Sequence, residues 1–443
     1  MQKETLTAGI YTLGCKVNQY ESEAIAEALC ELGIESLPAS EPCDIYVINT
    51  CTVTAESDRK ACQFIRRAIQ KNPKAYILVT GCLAQVDAER IAKIGGVDYI
   101  CGNVEKLSVV NAVSELIQRG EKNISPVINL VPIDNSCFEP MNIKKFERTR
   151  AYVKIEDGCE SRCTYCIIPS ARGNIRSKPM KDIIREVTEL TDGGCREVVL
   201  TGIETASYGR DLDGADLATL LIAVDKIPNI GRIRLGSLDP SLITPHFVER
   251  IASLKSLAPH FHLSLQSGSN KVLDLMKIKY NAEMAMRGIE LLIAHIPDVK
   301  FTTDVIVGFP QETEEDFLQT VEFAKKAKFL MMHVFPYSKR QGTIAATMDG
   351  QIAPDVKRRR AAELSAIAKQ IRRDILEELV RASSTRDVLF ETYKNGMAYG
   401  HTADFIEVAV PSEYPLHSEL RSVKLIETDG NICTGILITE QEM

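Results

Sequence analysis

The residues best suited to chemistry are Cys159, Cys163 and Cys166. They stand at C-x3-C-x2-C spacing in Gly158-Cys159-Glu160-Ser161-Arg162-Cys163-Thr164-Tyr165-Cys166, straight after a strand-like run from Ala151 to Glu156. Three thiolates can hold three irons of a [4Fe-4S] cluster and leave the fourth iron open, where a closed site uses four cysteines. An open iron suits a chelating substrate or cofactor. The bland alternative is a structural zinc knuckle, which needs a fourth Cys or His close by. The nearest, Cys137 and Cys195, are not at finger spacing.

A second set of cysteines is spread through the first third. Strands read at Ala8 to Leu13, Ile45 to Asn49, Tyr76 to Thr80 and Val97 to Ile100, and helices at Ser22 to Leu32, Ser57 to Lys71 and Ser108 to Arg119. Alternating strands and helices imply a doubly wound parallel sheet with right-handed crossovers. Gly14-Cys15, Thr50-Cys51 and Gly81-Cys82 each fall at the carboxyl end of one of these strands. Those ends share one crevice in such a sheet, so Cys15, Cys51 and Cys82 should meet as a second three-thiolate site. Each cysteine taken alone reads as ordinary core, because free Cys is often buried. Cys30, Cys43, Cys62, Cys101 and Cys137 lack this placement and read as structural.

Four segments must position these groups: an N-terminal α/β domain over residues 6–120, a linker over 121–144, a core over 145–375 and a C-terminal barrel over 376–443. The stretch from Gly120 to Arg150 has no sustained period and holds Pro126, Pro132 and Pro140, as a surface connection would. Its Lys144, Lys145, Arg148 and Arg150 suit RNA phosphates or simply a solvated surface. In the core, further strands read at Glu197 to Thr201, Arg232 to Leu235, Phe261 to Leu265, Phe301 to Val307 and Met331 to Phe335. Together with the first strand they make a partial (β/α)6 barrel, short of the full eight units. Polar residues mark the strand ends, where barrels build sites. Glu204, Ser237 and Gln266 are there as cofactor-binding candidates, or as ordinary strand-end caps. A long helix from Pro354 to Val380 opens with Lys357, Arg358, Arg359 and Arg360. Short strands follow at Asp387 to Glu391, Ile406 to Val410, Val423 to Glu427 and Gly435 to Thr439, implying a small all-β barrel.

Composition narrows the class. The chain has 443 residues, 45% hydrophobic, and a formal net charge of −7, so charge alone does not advertise nucleic-acid binding. From Arg381 onward there are five Lys or Arg against ten Asp or Glu, poor for phosphates unless one face is used. Met1 to Ile10 lacks the layout of a signal peptide. No run reaches the length of a membrane span. The 13 cysteines therefore point to metal or redox chemistry in a reducing, cytoplasmic setting.

The Cys159 loop, with Tyr165 before its last cysteine, resembles the radical S-adenosylmethionine (AdoMet) signature. Thr12-Leu13-Gly14-Cys15-Lys16-Val17-Asn18-Gln19-Tyr20-Glu21-Ser22, Asn49-Thr50-Cys51-Thr52-Val53-Thr54, Thr80-Gly81-Cys82 and His333-Val334-Phe335-Pro336-Tyr337-Ser338 resemble the methylthiotransferases. Gln311 departs from that family's Gly-Phe-Pro-Gly-Glu-Thr turn. Gly400-His401-Thr402 and the strand after it resemble the RNA-binding TRAM domain. The resemblance implies two [4Fe-4S] clusters, one on each triad, with AdoMet at the Cys159, Cys163 and Cys166 cluster. It implies a radical that removes hydrogen from an unactivated carbon, and a second AdoMet as methyl donor for the inserted sulfur. It implies an electron donor such as flavodoxin or ferredoxin, and a sulfur donor. The segment Lys16 to Ser22 resembles the bacterial threonylcarbamoyladenosine branch, whose substrate is the tRNA anticodon stem-loop, modified at adenine C2 next to the anticodon. An anticodon-loop base is single-stranded and is splayed into a pocket at modest cost. Its threonyl carboxylate needs a cation, for which Arg172, Arg176, Lys339 and Arg340 are candidates; pairing with local carboxylates is the alternative for each. Isopentenyladenosine in tRNA, a ribosomal-protein side chain, and a two-cluster electron carrier without substrate remain the competing readings.

Overall fold

The computed structural model describes residues 5–133, 136–146 and 149–438. Met1 to Glu4 of the expected leaderless start, Arg148 of the basic cluster and Thr439 of the last expected strand lie outside them.

The N-terminal sheet is six-stranded and parallel. It contains β1 (Thr7–Thr12), β2 (Glu35–Leu37), β3 (Ile45–Thr50), β4 (Tyr76–Gly81), β5 (Tyr99–Cys101) and β6 (Val127–Asn129), in the order β2-β1-β3-β4-β5-β6. Strand order reverses between β1 and β3, which is the topological switch point of this kind of sheet. Every residue of β3 is buried, as a strand covered on both faces requires. Helix α1 (Lys16–Glu31) follows β1, and α2 (Ala55–Lys71) follows β3 behind an N-cap in which Thr54 accepts the Ser57 N–H. Short α3 (Cys82–Val86) follows β4. Helix α1 begins directly after Cys15, six residues ahead of its expected start at Ser22. Its first turns carry polar side chains that bury against the core domain, and no apolar periodicity marks those.

The linker is not a free connection. Val127–Asn129 pairs with β5 and extends the N-terminal sheet. Farther on, the Met141 carbonyl accepts from Tyr20 Oη at 2.6 Å and Lys178 Nζ at 2.7 Å, and Ile143 N–H reaches Glu186 at 2.8 Å. These bonds stitch the segment between both domains. Tertiary partners explain why sequence periodicity missed it.

The core holds the six expected strand positions. β7 (Arg150–Lys154), β8 (Glu197–Thr201) and β9 (Arg232–Leu235) form one parallel sheet. Beyond Gly236, β10 (Ser237–Leu238) leads into a second with β11 (His260–Gln266), β12 (Lys300–Val307) and β13 (Met331–Pro336). One chain segment thus passes from sheet to sheet, and the whole curls as a partial barrel. Ala151, Val153, Val198, Leu200, Ile233, Leu235, Leu263 and Val305 face outward into the helix layer and form the largest hydrophobic core. Helix α4 (Ile168–Arg172) follows the Cys159 loop.

Helix α5 (Pro354–Arg381) links the core to a closed barrel of β14 (Thr385–Lys394), β15 (Met397–Thr402), β16 (Glu407–Pro411), β17 (Leu420–Thr428) and β18 (Cys433–Leu437). The expected domain boundary at 376 falls inside α5. Ile375 and Leu376 already belong to the barrel's hydrophobic core. The turn at Gln311 survives its missing glycine: Gln311 sits at φ 66° and its N–H is held by the Gly350 carbonyl at 2.8 Å. The left-handed conformation costs a non-glycine residue about 1 kcal/mol.

Candidate active site between two cysteine triads

Cys15, Cys51 and Cys82 lie in the switch-point crevice. Gly14 (φ 106°) lets the β1 loop close on β3; a Cβ there would stand 2.8 Å from Cys51 Cβ. Gly81 (φ 99°) does the same beside the Thr50 carbonyl, where a Cβ would come within 2.4 Å. Cys51 and Cys82 are buried and Cys15 is exposed. Burial, then the neighbouring Cys82 and Cys15 sulfurs, push the Cys51 thiol up to about 11.

Cys159, Cys163 and Cys166 are partly buried in their loop. Burial and the Cys166 sulfur push Cys163 up to about 12, and burial pushes Cys166 to about 11. Thiols crowded in this way release their protons when metal replaces them. Among the described residues no three His, Cys, Asp or Glu side chains converge on one metal-ion position. A mononuclear zinc site needs such convergence, whereas a four-iron cube spreads its thiolates over separate irons.

The expected cofactor residues surround this loop. Glu204 Oε2 lies 3.1 Å from Cys159 Sγ, and both its oxygens accept from Ser161 Oγ, at 3.2 and 3.1 Å. Glu156 fixes it from behind by accepting the Glu204 N–H at 2.8 Å. Ser237 opens β10, just past the turn between the two sheets, and is half-buried. Gln266 stands at φ 63°, where the β11–β12 ladder shifts register. A non-glycine residue held there stores strain of the kind found at functional positions.

Arg172 joins the triads. Its Nε lies 3.4 Å from Cys82 Sγ, and the next carbonyl, Gly173, accepts the Cys159 N–H at 2.9 Å. The guanidinium also binds Glu21 at 2.8 Å, Asp157 at 2.9 Å and Asn18 at 2.7 Å. Lys154 bridges the same two carboxylates, at 2.8 Å to Glu21 and 2.7 Å to Asp157; Lys106 pairs with Glu21, and Arg176 with Asp157 at 3.4 Å. Burial opposes charge on Glu21 and Asp157, but Arg172 and the lysines outweigh it and hold both carboxyls below their usual range. Four buried cations face two carboxylates here. The thiolates and sulfides of a cluster held at Cys82 would supply the missing negative charge, so the donor set fits the group.

The expected substrate cations divide. Arg172 and Arg176 are buried in this network, and Arg340 is committed to Asp58 and Thr52, both at 2.6 Å. Lys339 alone is exposed, beside Lys357. The basic start of α5 is also largely spent: Arg360 pairs with Glu312 at 2.6 Å and Arg359 with Glu314 at 2.7 Å.

Sequence reasoning missed the barrel lumen. Alternation along the strands turns Arg150, Glu197, Arg234, His260, His262, Asp304 and His333 inward. Asp304 accepts from His333 Nδ1 at 3.0 Å and pairs with His262 Nε2 at 3.2 Å. Glu197 holds Arg234 at 2.7 Å. At the amino-terminal ends of the strands the C-terminal barrel inserts Phe405 (φ 72°), which stacks on His260 at 4.5 Å and lies under Arg234 at 5.0 Å. Arg232 bonds the Asp387 and His401 carbonyls at 2.7 and 3.1 Å. His401, which carries the resemblance to the RNA-binding module, is therefore used for docking on the core. The N-terminal domain covers the open side, with α1 along β7 and Asp58 against the Arg340 loop. Lys16, the first residue of α1, enters the lumen from that side. It is solvent-exposed, yet burial and the like charges of Arg234 and Arg150 lower its pKa to about 8, against Asp304 and Glu197. No helix among the described residues is long and apolar enough to cross a membrane.

Comparison with known proteins agrees with this architecture. Residues 153–324 match the Radical SAM superfamily, and residues 7–102 match the uncharacterized protein family UPF0004. The chain is 38% identical, over 95% of its length and 94% of the relative's, to the threonylcarbamoyladenosine tRNA methylthiotransferase MtaB of Bacillus subtilis (strain 168). The protein of the same name from Aquifex aeolicus (strain VF5) is 38% identical over 83% of this chain and 89% of that one. A tRNA-2-methylthio-N(6)-dimethylallyladenosine synthase from Aquifex aeolicus (strain VF5) is 34% identical over 97% of this chain and 98% of that one. Among solved structures, the radical S-adenosylmethionine methyltransferase TsrM from Kitasatospora setae superposes with a TM-score of 0.55 at 16% identity, over 77% of each chain. That likeness concerns the fold alone.

Proposed function

The chain belongs to the radical SAM tRNA methylthiotransferase family, and from that premise we propose that it methylthiolates C2 of N6-threonylcarbamoyladenosine at position 37 of tRNA. The observation that carries the substrate is the set of relatives bearing the threonylcarbamoyladenosine name, at 37–38% identity. Relatives bearing the dimethylallyladenosine name stand at 34–36%, and a further one bearing the threonylcarbamoyladenosine name at 34%.

Cys159, Cys163 and Cys166 would hold one [4Fe-4S] cluster, and Cys15, Cys51 and Cys82 the second. Together with AdoMet these groups supply, when bound, the radical and the methylated sulfur that replace a C–H bond by C–S–CH3. The protein's part is positioning. Glu204 is an acceptor for the AdoMet amine beside Cys159, and Ser237 and Gln266 are partners for the rest of that cofactor. Arg172 fixes both cysteine loops in one rigid unit and answers the negative charge at Cys82. Phe405 closes the amino-terminal end of the lumen and the N-terminal domain covers its open side. The partners are the tRNA anticodon stem-loop, an electron donor such as flavodoxin or ferredoxin, and a sulfur donor, all met in the cytoplasm.

The test is deletion of the gene followed by mass spectrometry of nucleosides from total tRNA. We expect 2-methylthio-N6-threonylcarbamoyladenosine to vanish while its unthiolated precursor accumulates. If it persists and the isopentenyl counterpart disappears instead, the substrate belongs to the other branch.

A further inference from the structure

The lumen contains several cations, and all but one are answered. Arg150 binds Glu391 at 3.0 Å, Arg234 binds Glu197 at 2.7 Å, and Arg232 is spent on backbone carbonyls and Glu197. His262 and His333 share Asp304. The Lys16 ammonium has no carboxylate within ion-pairing distance and no hydrogen-bond acceptor among the described residues, and the residue is exposed. The charged groups facing it are Arg234, Arg150, Asp304 and Glu197 from the strands, with His333 beyond Asp304. Each of those carboxylates is already engaged by a partner closer at hand.

Its place in the chain adds the rest. Lys16 follows Cys15, the N-cap of α1, so it stands between the switch-point triad and the lumen groups that act on its ammonium, Arg234, Arg150, His260 and His333 among them. A base presented to both triads through C2 carries its N6 substituent on the other side of N1. The carbamoyl-threonine arm is several bonds long, as is a lysine stem. The three arginine candidates for the terminal carboxylate are buried in ion pairs, which a substrate would have to break at high cost.

We propose that Lys16 is the specificity-determining residue that receives the threonyl carboxylate of the substrate nucleoside inside the barrel lumen. This rests on the substrate reading given above. An unpaired ammonium in an enclosed site gains a charge-assisted hydrogen bond from that carboxylate, and it offers nothing to a neutral isopentenyl group.

The experiment uses the full-length, anaerobically reconstituted enzyme and measures its affinity for three anticodon stem-loops. One carries N6-threonylcarbamoyladenosine, one the same nucleoside with its carboxylate as the neutral carboxamide, and one unmodified adenosine. We expect the wild type to prefer the acid over the amide by about 10- to 100-fold, as a hydrogen bond to a charged group implies. Lys16→Gln should bind acid and amide alike, at the level of wild type on amide, with the two changes non-additive. Lys16→Arg, which keeps the charge and guards against a misfolded variant, should retain most of the preference. A Lys16→Gln enzyme that still prefers the acid as strongly as wild type would overturn the assignment of Lys16 and leave the substrate untouched. Equal weakening toward acid and amide would overturn it too, since Lys16 would then serve the RNA or the fold. A wild type that binds all three stem-loops equally would remove the substrate reading, and this assignment with it.

Discussion

Arg172 reads in the sequence either as a substrate cation or as a partner of local carboxylates, and its surroundings give it the second use. Two carboxylates, an asparagine oxygen and the Cys82 sulfur answer it, all in a dry setting. Such a pair is not exchanged for a substrate, because breaking a buried ion pair costs about 3–5 kcal/mol. Lumen histidines behave differently, being wetter. The hydrogen bond to Asp304 raises the His333 pKa; burial opposes charge on Asp304, but hydrogen bonds from His262 and His333 hold that carboxyl below its usual range. The stability this pair adds is therefore complete below the unfolded histidine value of about 6.5 and above the unfolded aspartate value of about 3.9. It is lost as pH rises through the raised His333 value, and again as pH falls through the depressed Asp304 value. We expect the Tm gap between wild type and His333→Gln to be wider near pH 5.5 than near pH 9. The gap should be small, because His333 is half exposed and screened by solvent. Equal gaps at both pH values would deny the pair any role in stability.

At the scale of elements, α1 bears the most. One face of it packs on its own sheet through Ile25 and Leu29, and another sends Asn18, Tyr20 and Glu21 into the core domain. Glu21 is the hub, touching Lys106, Lys154 and Arg172 with no exposure of its own. Glu21→Ala should lower stability by about 3–5 kcal/mol, because three buried cations lose a counter-charge. A thermal melt of the apo protein would read this as a clear drop in Tm. A melt unchanged from wild type would mean that water or a rearranged Asp157 takes its place. The turn at Gln311 gives the opposite lesson. There a single backbone bond from Gly350 is enough to keep a geometry that glycine would adopt more easily.

Across the whole molecule, three domains enclose one lumen. The core supplies the wall, the N-terminal domain covers the open side, and the C-terminal barrel plugs the amino-terminal end with Phe405. Phe405→Ala should lower Tm through lost stacking on His260 and His401, about 0.5–1.5 kcal/mol for each aromatic pair beyond area burial. It should also couple AdoMet cleavage less tightly to the reaction on tRNA, read as more 5′-deoxyadenosine per methylthiolated product. No change in either would show the plug to be incidental. The two-cluster reading belongs to this scale as well. Reconstituted enzyme should hold about eight irons, as two four-iron cubes. Replacing Cys159, Cys163 and Cys166 by Ala should remove about half of them. Four irons in the unaltered protein would contradict the second cluster.

Local signals in the sequence were enough for the elements and for where the six cysteines stand on them. Loop spacing marked Cys159, Cys163 and Cys166, and a repeated strand-end position marked Cys15, Cys51 and Cys82, because backbone periodicity is a short-range property. The six core strands and the late β-barrel were legible for the same reason, although Met397–Thr402 passed unmarked as a strand of its own. Only the tertiary structure decided which charges are free. Arg172, Arg176, Arg340 and Lys16 look alike in a sequence, and the partners of the arginines lie up to 288 positions away, as Thr52 does from Arg340. The linker strand Val127–Asn129 depended equally on a neighbour, β5, to become one. Side-chain periodicity tells which face of an element is buried, but the identity of what meets that face is fixed by how the three domains close on one another.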